Sequence, residues 1–117
     1  MPLINVYTSA PPPSDARTSA LLLALSKTLA KELSKPESYV MTCLVPKTRM
    51  TFAGSEAPAC YAELKNIGAL SPETTSRLSK VLCSLLSKEL DVPQNRIYLE
   101  FTSLEPHLFG FDGDTFA

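Results

Sequence analysis

The chain has 117 residues, of which 44% are hydrophobic and 20% charged, and its formal net charge is −1. These values are typical of an ordinary soluble globular chain and predict a single domain that spans residues 1–117. No basic run is longer than a pair, which argues against a nucleic-acid partner. The longest apolar run, residues 20–25, is far too short to cross a bilayer, so no membrane partner is expected.

The three cysteines are odd in number and widely spaced, at Cys43, Cys60 and Cys83. This pattern predicts reduced thiols, with Cys43 and Cys83 in the core, and no metal or other cofactor. No charged lead-in and apolar segment typical of a signal peptide is present. We therefore expect a cytoplasmic protein, with export without a signal peptide as the alternative.

The chain begins Met1-Pro2 and continues directly into the apolar residues 3–8, which we interpret as a strand. An initiator methionine is commonly removed before a small residue, and its removal here would leave Pro2 as a free secondary amine. Burial or a neighbouring cation lowers the pKa of an amine, so such a proline could be a base near neutral pH. The alternative is that Pro2 simply starts an edge strand, where its missing N–H costs nothing.

The rest of the first half predicts a helix followed by a strand. Ser14 is a helix N-cap with an acid behind it, Pro36 ends the helix, and residues 39–45 form a strand that is apolar on both sides. Between cap and proline, leucine recurs every fourth residue, as expected of an amphipathic helix. These leucines are Leu21, Leu25, Leu29 and Leu33.

The second half repeats this plan. A strand at residues 60–67 precedes the N-cap Ser71, and Pro93 separates the helix from a strand at residues 97–102. The second helix has the same leucine spacing, at Leu78, Leu82, Leu86 and Leu90. Two β-α-β units predict an α+β fold of the ferredoxin-like type, a four-stranded sheet with two helices on one face. Self-association would bury the other face.

Several further motifs follow Met1-Pro2 in order along the whole chain. They are Ser34-Lys35-Pro36-x-x-Tyr39, residues 50–55, Ile67-Gly68, Pro93-x-x-Arg96-Ile97-Tyr98, and the tail Phe109-Gly110-Phe111 with Thr115-Phe116. With these motifs the chain resembles the macrophage migration inhibitory factor and D-dopachrome tautomerase branch of the tautomerase superfamily. The resemblance implies a homotrimer with a pocket at each subunit boundary.

The resemblance also implies a keto–enol tautomerase for small aromatic 2-ketoacids such as phenylpyruvate. Pro2 would be the general base, Lys35 would bind the substrate carboxylate, and the Ile67 backbone would form a hydrogen bond. The neighbouring subunit would contribute Tyr98, and an apolar wall would include Phe116. Lys35 could instead be a solvated cation at a helix end, and the two aromatic residues could be interface packing.

Two site positions differ from the pattern familiar in the animal cytokines. Glu100 replaces an asparagine, and Phe111 replaces a tryptophan. A carboxylate near the pocket would favour a protonated Pro2 and so oppose Lys35. The Cys-x-x-Cys pair of the animal cytokine is absent, which removes the residues for thiol oxidoreductase activity.

Two other functions remain open. One is a cytokine-like protein that binds a receptor or an intracellular partner and has little or no tautomerase activity. The other is a superfamily relative with decarboxylase or dehalogenase activity, which would need further basic residues in the pocket.

Overall fold

A computed structural model describes residues 1–117, and its secondary structure follows the two predicted repeats. The first repeat consists of β1 (Pro2–Thr8), α1 (Asp15–Glu32) and β2 (Met41–Val45). The second consists of β3 (Cys60–Ile67), α2 (Pro72–Leu90) and β4 (Ile97–Leu104). A short hairpin of β5 (Gly110–Phe111) and β6 (Asp114–Thr115) follows at the C-terminus.

Both helices begin at the predicted serines. The Ser14 hydroxyl accepts a hydrogen bond from the Arg17 N–H, and the Ser71 hydroxyl accepts one from the Thr74 N–H. Each bond pairs one of the backbone donors that the first turn of a helix leaves unpaired. The α2 helix ends at Leu90 and is capped by Asp91, whose positive φ of 57° reverses the chain as a left-handed cap does.

The four long strands form one mixed sheet in the order β2-β1-β3-β4. The β1 strand is parallel to β2 and antiparallel to β3, and β3 is parallel to β4. The predicted α+β fold of two β-α-β units is therefore confirmed.

Both helices cover the same face of the sheet, and the core lies between the helices and this face. Side chains alternate along β1 and β3, so that every second residue is buried against the helices. The spaced leucines of the helices fill the same layer, and the fully buried ones are Leu21, Leu25, Leu29, Leu78, Leu82 and Leu86. The opposite face, called here the open face, has no helix on it and exposes apolar side chains such as Met41, Val45 and Tyr98.

Several local predictions differ from the structure. The second strand begins at Met41 rather than at Tyr39 as predicted, because Tyr39 ends a 3-10 turn (Glu37–Tyr39) in which the Val40 N–H donates back to the Glu37 carbonyl. The hairpin of β5 and β6 was not predicted, since two-residue strands are too short for a periodic pattern.

Cys60 is buried, and burial with the nearby Cys83 raises the pKa of its thiol to about 12. Cys43 lies only partly buried on the open face, contrary to its prediction as a core residue.

Neither α1 nor α2 is both long and apolar enough to be a membrane span.

Candidate active site

Pro2 is the first residue of β1, and its side chain is fully buried at the end of the sheet. It lines a cavity of about 210 Å³ between the start of β1, the start of β2 and the C-terminal hairpin. Eight of the 11 lining residues are hydrophobic. The cavity therefore has the apolar lining that a small aromatic molecule requires.

The wall of this cavity that faces Pro2 is aromatic. The rings of Phe111 and Phe116 are stacked with centroids 5.6 Å apart, and Tyr39 meets both of them edge-on, at 5.5 and 5.8 Å. Edge-on and stacked pairs are favourable arrangements of aromatic rings. The hairpin brings Phe111 and Phe116 together, because the positive φ values of Asp112 and Gly113 allow a tight turn.

Phe111 and Phe116 were predicted as site residues, and the structure places both beside Pro2. Tyr39 was not predicted as a site residue. The signal that could have found it is the Pro36-x-x-Tyr39 motif, because the 3-10 turn after Pro36 directs the tyrosine towards the hairpin.

Lys35 reaches the same end of β1 from the C-terminus of α1. Its Nζ donates a hydrogen bond to the Ile67 carbonyl oxygen at 3.1 Å, and the Ile67 N–H donates to the Met1 carbonyl at 3.4 Å. Desolvation by burial, and then the Lys35 charge, lower the pKa of the Met1 amine. Lys35 is thus near enough to the chain terminus to disfavour a positive charge there.

Tyr98 and Glu100 lie on a different surface of the same subunit. Both project from β4 onto the open face, where Tyr98 is 65% exposed and packs against Phe52 with ring centroids 4.9 Å apart. Glu100 is directly opposite Glu63 in the β3–β4 register, and its carboxylate accepts a hydrogen bond from Thr102. Neither Tyr98 nor Glu100 lines the Pro2 cavity of its own chain.

A larger cavity of about 710 Å³ lies on this open face. Its walls are mainly aromatic and aliphatic, and Glu63 is the only charged residue in them. Partial burial, and then the Glu63 carboxylate that accepts the hydroxyl hydrogen, raise the pKa of Tyr61. This cavity contains neither a free amine nor a cation, so the candidate active site is the smaller cavity at Pro2.

Metal ligands do not cluster in the structure: no group of three or more His, Cys, Asp or Glu side chains could hold an ion.

Comparison with known proteins identifies the family of the chain. The model of the family "Macrophage migration inhibitory factor (MIF)" matches residues 1–117. The chain belongs to this family. Among its curated relatives, the macrophage migration inhibitory factor homolog of Brugia malayi is 38% identical over the whole of both chains. The macrophage migration inhibitory factor of Xenopus tropicalis is 36% identical over 88% of this chain and 90% of its own.

Solved structures of the macrophage migration inhibitory factor family have the same fold. The homologue from Prochlorococcus marinus superposes with a TM-score of 0.93 at 43% identity, covering 98% of this chain and 99% of its own. The Toxoplasma gondii protein superposes with a TM-score of 0.91 at 30% identity, covering 97% and 99%. Membership of the family, and of the tautomerase superfamily that contains it, suggests an isomerase.

Proposed function

We propose that this protein is a keto–enol tautomerase for small aromatic 2-ketoacids of the phenylpyruvate type, with Pro2 as the general base after Met1 is removed. One observation supports the proposal above the others. Pro2, which would carry the amine, lines an aromatic cavity, and the Lys35 charge acts on the chain terminus directly before it.

The main requirement of the reaction is a correctly positioned base. The neutral Pro2 nitrogen takes a proton from the carbon beside the ketone, and the C–H electron pair becomes the C=C bond of the enol. The C=O π electron pair moves onto the ketone oxygen, which gains a proton, and the protonated Pro2 gives up its own proton to that oxygen directly or through water, so the overall change is a shift of one hydrogen. A base works best when its pKa is close to the working pH. Burial and Lys35 both lower the pKa of the Met1 amine, and we expect the same two causes to lower the pKa of the Pro2 amine once Met1 is removed.

Lys35 and Ile67 line a separate polar cavity rather than the Pro2 cavity, and they would provide the polar end of the proposed site. Removing Met1 takes away the carbonyl that now accepts the Ile67 N–H, so that donor becomes available to a substrate oxygen. The Lys35 ammonium, 3.1 Å from the Ile67 carbonyl, lies next to it and would bind the substrate carboxylate. The aromatic ring of the substrate would pack against Tyr39, Phe111 and Phe116.

A homotrimer is part of the proposal. The open face presents exposed apolar side chains and the cavity of about 710 Å³, which a second copy of the chain would cover. Such an assembly would bring Tyr98 to the Pro2 cavity of a neighbouring subunit, as the family resemblance implies.

The direct test is an enol-formation assay with phenylpyruvate on protein whose mass shows that Met1 is absent. Measurable turnover that disappears in a preparation retaining Met1 supports the proposal. Equal turnover in both preparations rules out Pro2 as the base, because an amide nitrogen cannot accept the proton.

A second candidate is a protein-binding role, which the names of the migration inhibitory factors among the relatives favour. Such a role depends on the surface of the protein rather than on the Pro2 amine. It would survive in a Pro2→Ala variant that has lost tautomerase activity.

A further inference from the structure

One polar residue occupies an apolar position beside the site. The side of β3 that faces the helices carries Cys60, Ala62, Leu64 and then Asn66. Asn66 is only 3% exposed, and its Oδ1 has no hydrogen-bond partner. The unpaired Oδ1 destabilises the fold, and a residue retained at that cost calls for an explanation, for which its Nδ2 is the remaining group.

Asn66 lies directly opposite Pro2 in the β1–β3 register. The hydrogen bond from the Ile67 N–H to the Met1 carbonyl belongs to the residues that flank this pair. In an antiparallel ladder this pattern defines the non-hydrogen-bonded pair, in which the two strands approach most closely and facing side chains are neighbours. Asn66 is therefore the cross-strand neighbour of the proposed base.

The Asn66 amide and the Lys35 ammonium border the same small space above Gly68. A Cβ placed on Gly68 would be 3.9 Å from Lys35 Nζ and 4.0 Å from Asn66 Nδ2. Gly68 has a φ of +114°, which favours glycine, and so the space stays empty. All three residues also line a polar cavity of about 410 Å³ between the end of α1 and the start of α2.

Two nitrogen donors that border the same space can each bind one oxygen of a carboxylate. Lys35 uses one of its three donors on the Ile67 carbonyl. Arg77 lines the same cavity, but its Nε is engaged by the Glu32 carboxylate at 2.6 Å. Within 4 Å of the Cβ position on Gly68, the Asn66 amide is the one donor besides Lys35.

We propose that Asn66 is a specificity-determining residue that binds the substrate carboxylate together with Lys35. The amide N–H donates to one carboxylate oxygen while the ammonium donates to the other. The inference rests on the proposed function for the nature of the substrate, and it adds a ligand-binding role for a residue outside the motifs that carry the family resemblance.

The test measures binding by calorimetry to protein that has lost Met1. The ligand is phenylglyoxylate, an aromatic 2-ketoacid that cannot enolise because the carbon beside its ketone belongs to the ring. Its methyl ester is the uncharged counterpart. The variant Asn66→Leu removes the amide, and Asn66→Asp keeps its shape while adding a negative charge. Asn95→Ala, at an exposed position, is the control.

Asn66→Leu should weaken phenylglyoxylate binding about tenfold, the loss expected for a hydrogen bond to a charged group, and leave ester binding unchanged. Asn66→Asp should weaken acid binding further, because its carboxylate repels that of the ligand. The melting temperature of Asn66→Leu should equal or exceed that of the wild type, since an unpaired buried amide is replaced by an apolar group.

Two results would overturn the inference. One is acid binding by Asn66→Leu at wild-type strength, and the other is an equal loss for acid and ester, which is the signature of a structural role. The proposed function is judged separately. Wild-type protein that prefers the acid over the ester through Asn66 but does not enolise phenylpyruvate would support the Asn66 inference and refute the tautomerase.

Discussion

The backbone N–H of Ile67 donates to the carbonyl of Met1, with 3.4 Å between nitrogen and oxygen. Met1 thus engages one proposed substrate donor and acylates the nitrogen of Pro2 at the same time. Removal of a single residue would free both groups. Processing of the N-terminus is therefore expected to switch on both substrate binding and the base.

Substitution of Pro2 should separate the contribution of its terminal amine from that of its rigid ring. Pro2→Gly in a processed chain keeps a terminal amine but loses the rigid ring, so kcat for phenylpyruvate should fall by at least about tenfold without vanishing. The measurement is steady-state kinetics on protein of verified mass. Undiminished kcat in Pro2→Gly would show that ring geometry contributes nothing.

Lys35→Ala should alter the pH profile as well as binding. Lys35 is one of the two causes that lower the pKa of the Met1 amine. Its charge should act in the same way on the Pro2 amine of the processed chain, so its removal should raise the pKa of that amine. The neutral form is the active one, and the rise of kcat/KM with pH should therefore move to higher pH. The specificity constant for phenylpyruvate should also fall about tenfold to hundredfold.

The control for this prediction is Lys31→Ala, which removes an equal charge from the exposed last turn of α1. Its pH profile should match the wild type. A wild-type profile in Lys35→Ala would show that burial alone sets the basicity of the amine.

Tyr39→Ala should raise KM for aromatic substrates more than for aliphatic ones. Tyr39 meets both Phe111 and Phe116 edge-on, and an aromatic pair is worth about 0.5–1.5 kcal/mol. We expect KM for phenylpyruvate to rise about threefold to tenfold, with a much smaller change for 2-oxobutyrate. Tyr39→Phe keeps the ring and should behave as the wild type. Equal effects of Tyr39→Ala on both substrates would contradict a ring-binding role.

Self-association should be sensitive to charge on the open face. The wild type should sediment at three times 12.7 kDa, whereas Val45→Glu, on that face, should sediment as smaller species. Leu23→Glu replaces another exposed apolar residue, on α1, and should leave the assembly intact. A wild type that stays monomeric at micromolar concentration would refute the trimer.

Glu100→Gln should stabilise the protein at low salt. Glu63 and Glu100 lie opposite each other on the neighbouring parallel strands β3 and β4, on the same face, where like charges repel. The melting temperature should rise on substitution, and the gain should shrink in molar salt because screening weakens the repulsion. The control Glu105→Gln changes a carboxylate outside this pair and should show no such gain. A gain that is independent of salt would exclude repulsion as its cause.

The sequence by itself determined the order and type of the main elements. Serine caps, leucines at every fourth position and the two prolines are local signals, and each acts within a few residues of its own helix. The sequence also identified the family, since the family's motifs occur in order along the chain. The predicted trimer, the substrate and the cytoplasmic location stay predictions.

Only the tertiary structure decided which side chains meet. The alternation of β3 puts Glu63 on one face and Asn66 on the other, but the pairing of strands decides that Glu63 lies opposite Glu100 and Asn66 opposite Pro2. Tyr39 likewise meets Phe111 only after the C-terminal hairpin folds back over β2. These contacts join residues far apart in the chain, and no local pattern encodes a pairing whose free energy comes from the packing of the whole sheet.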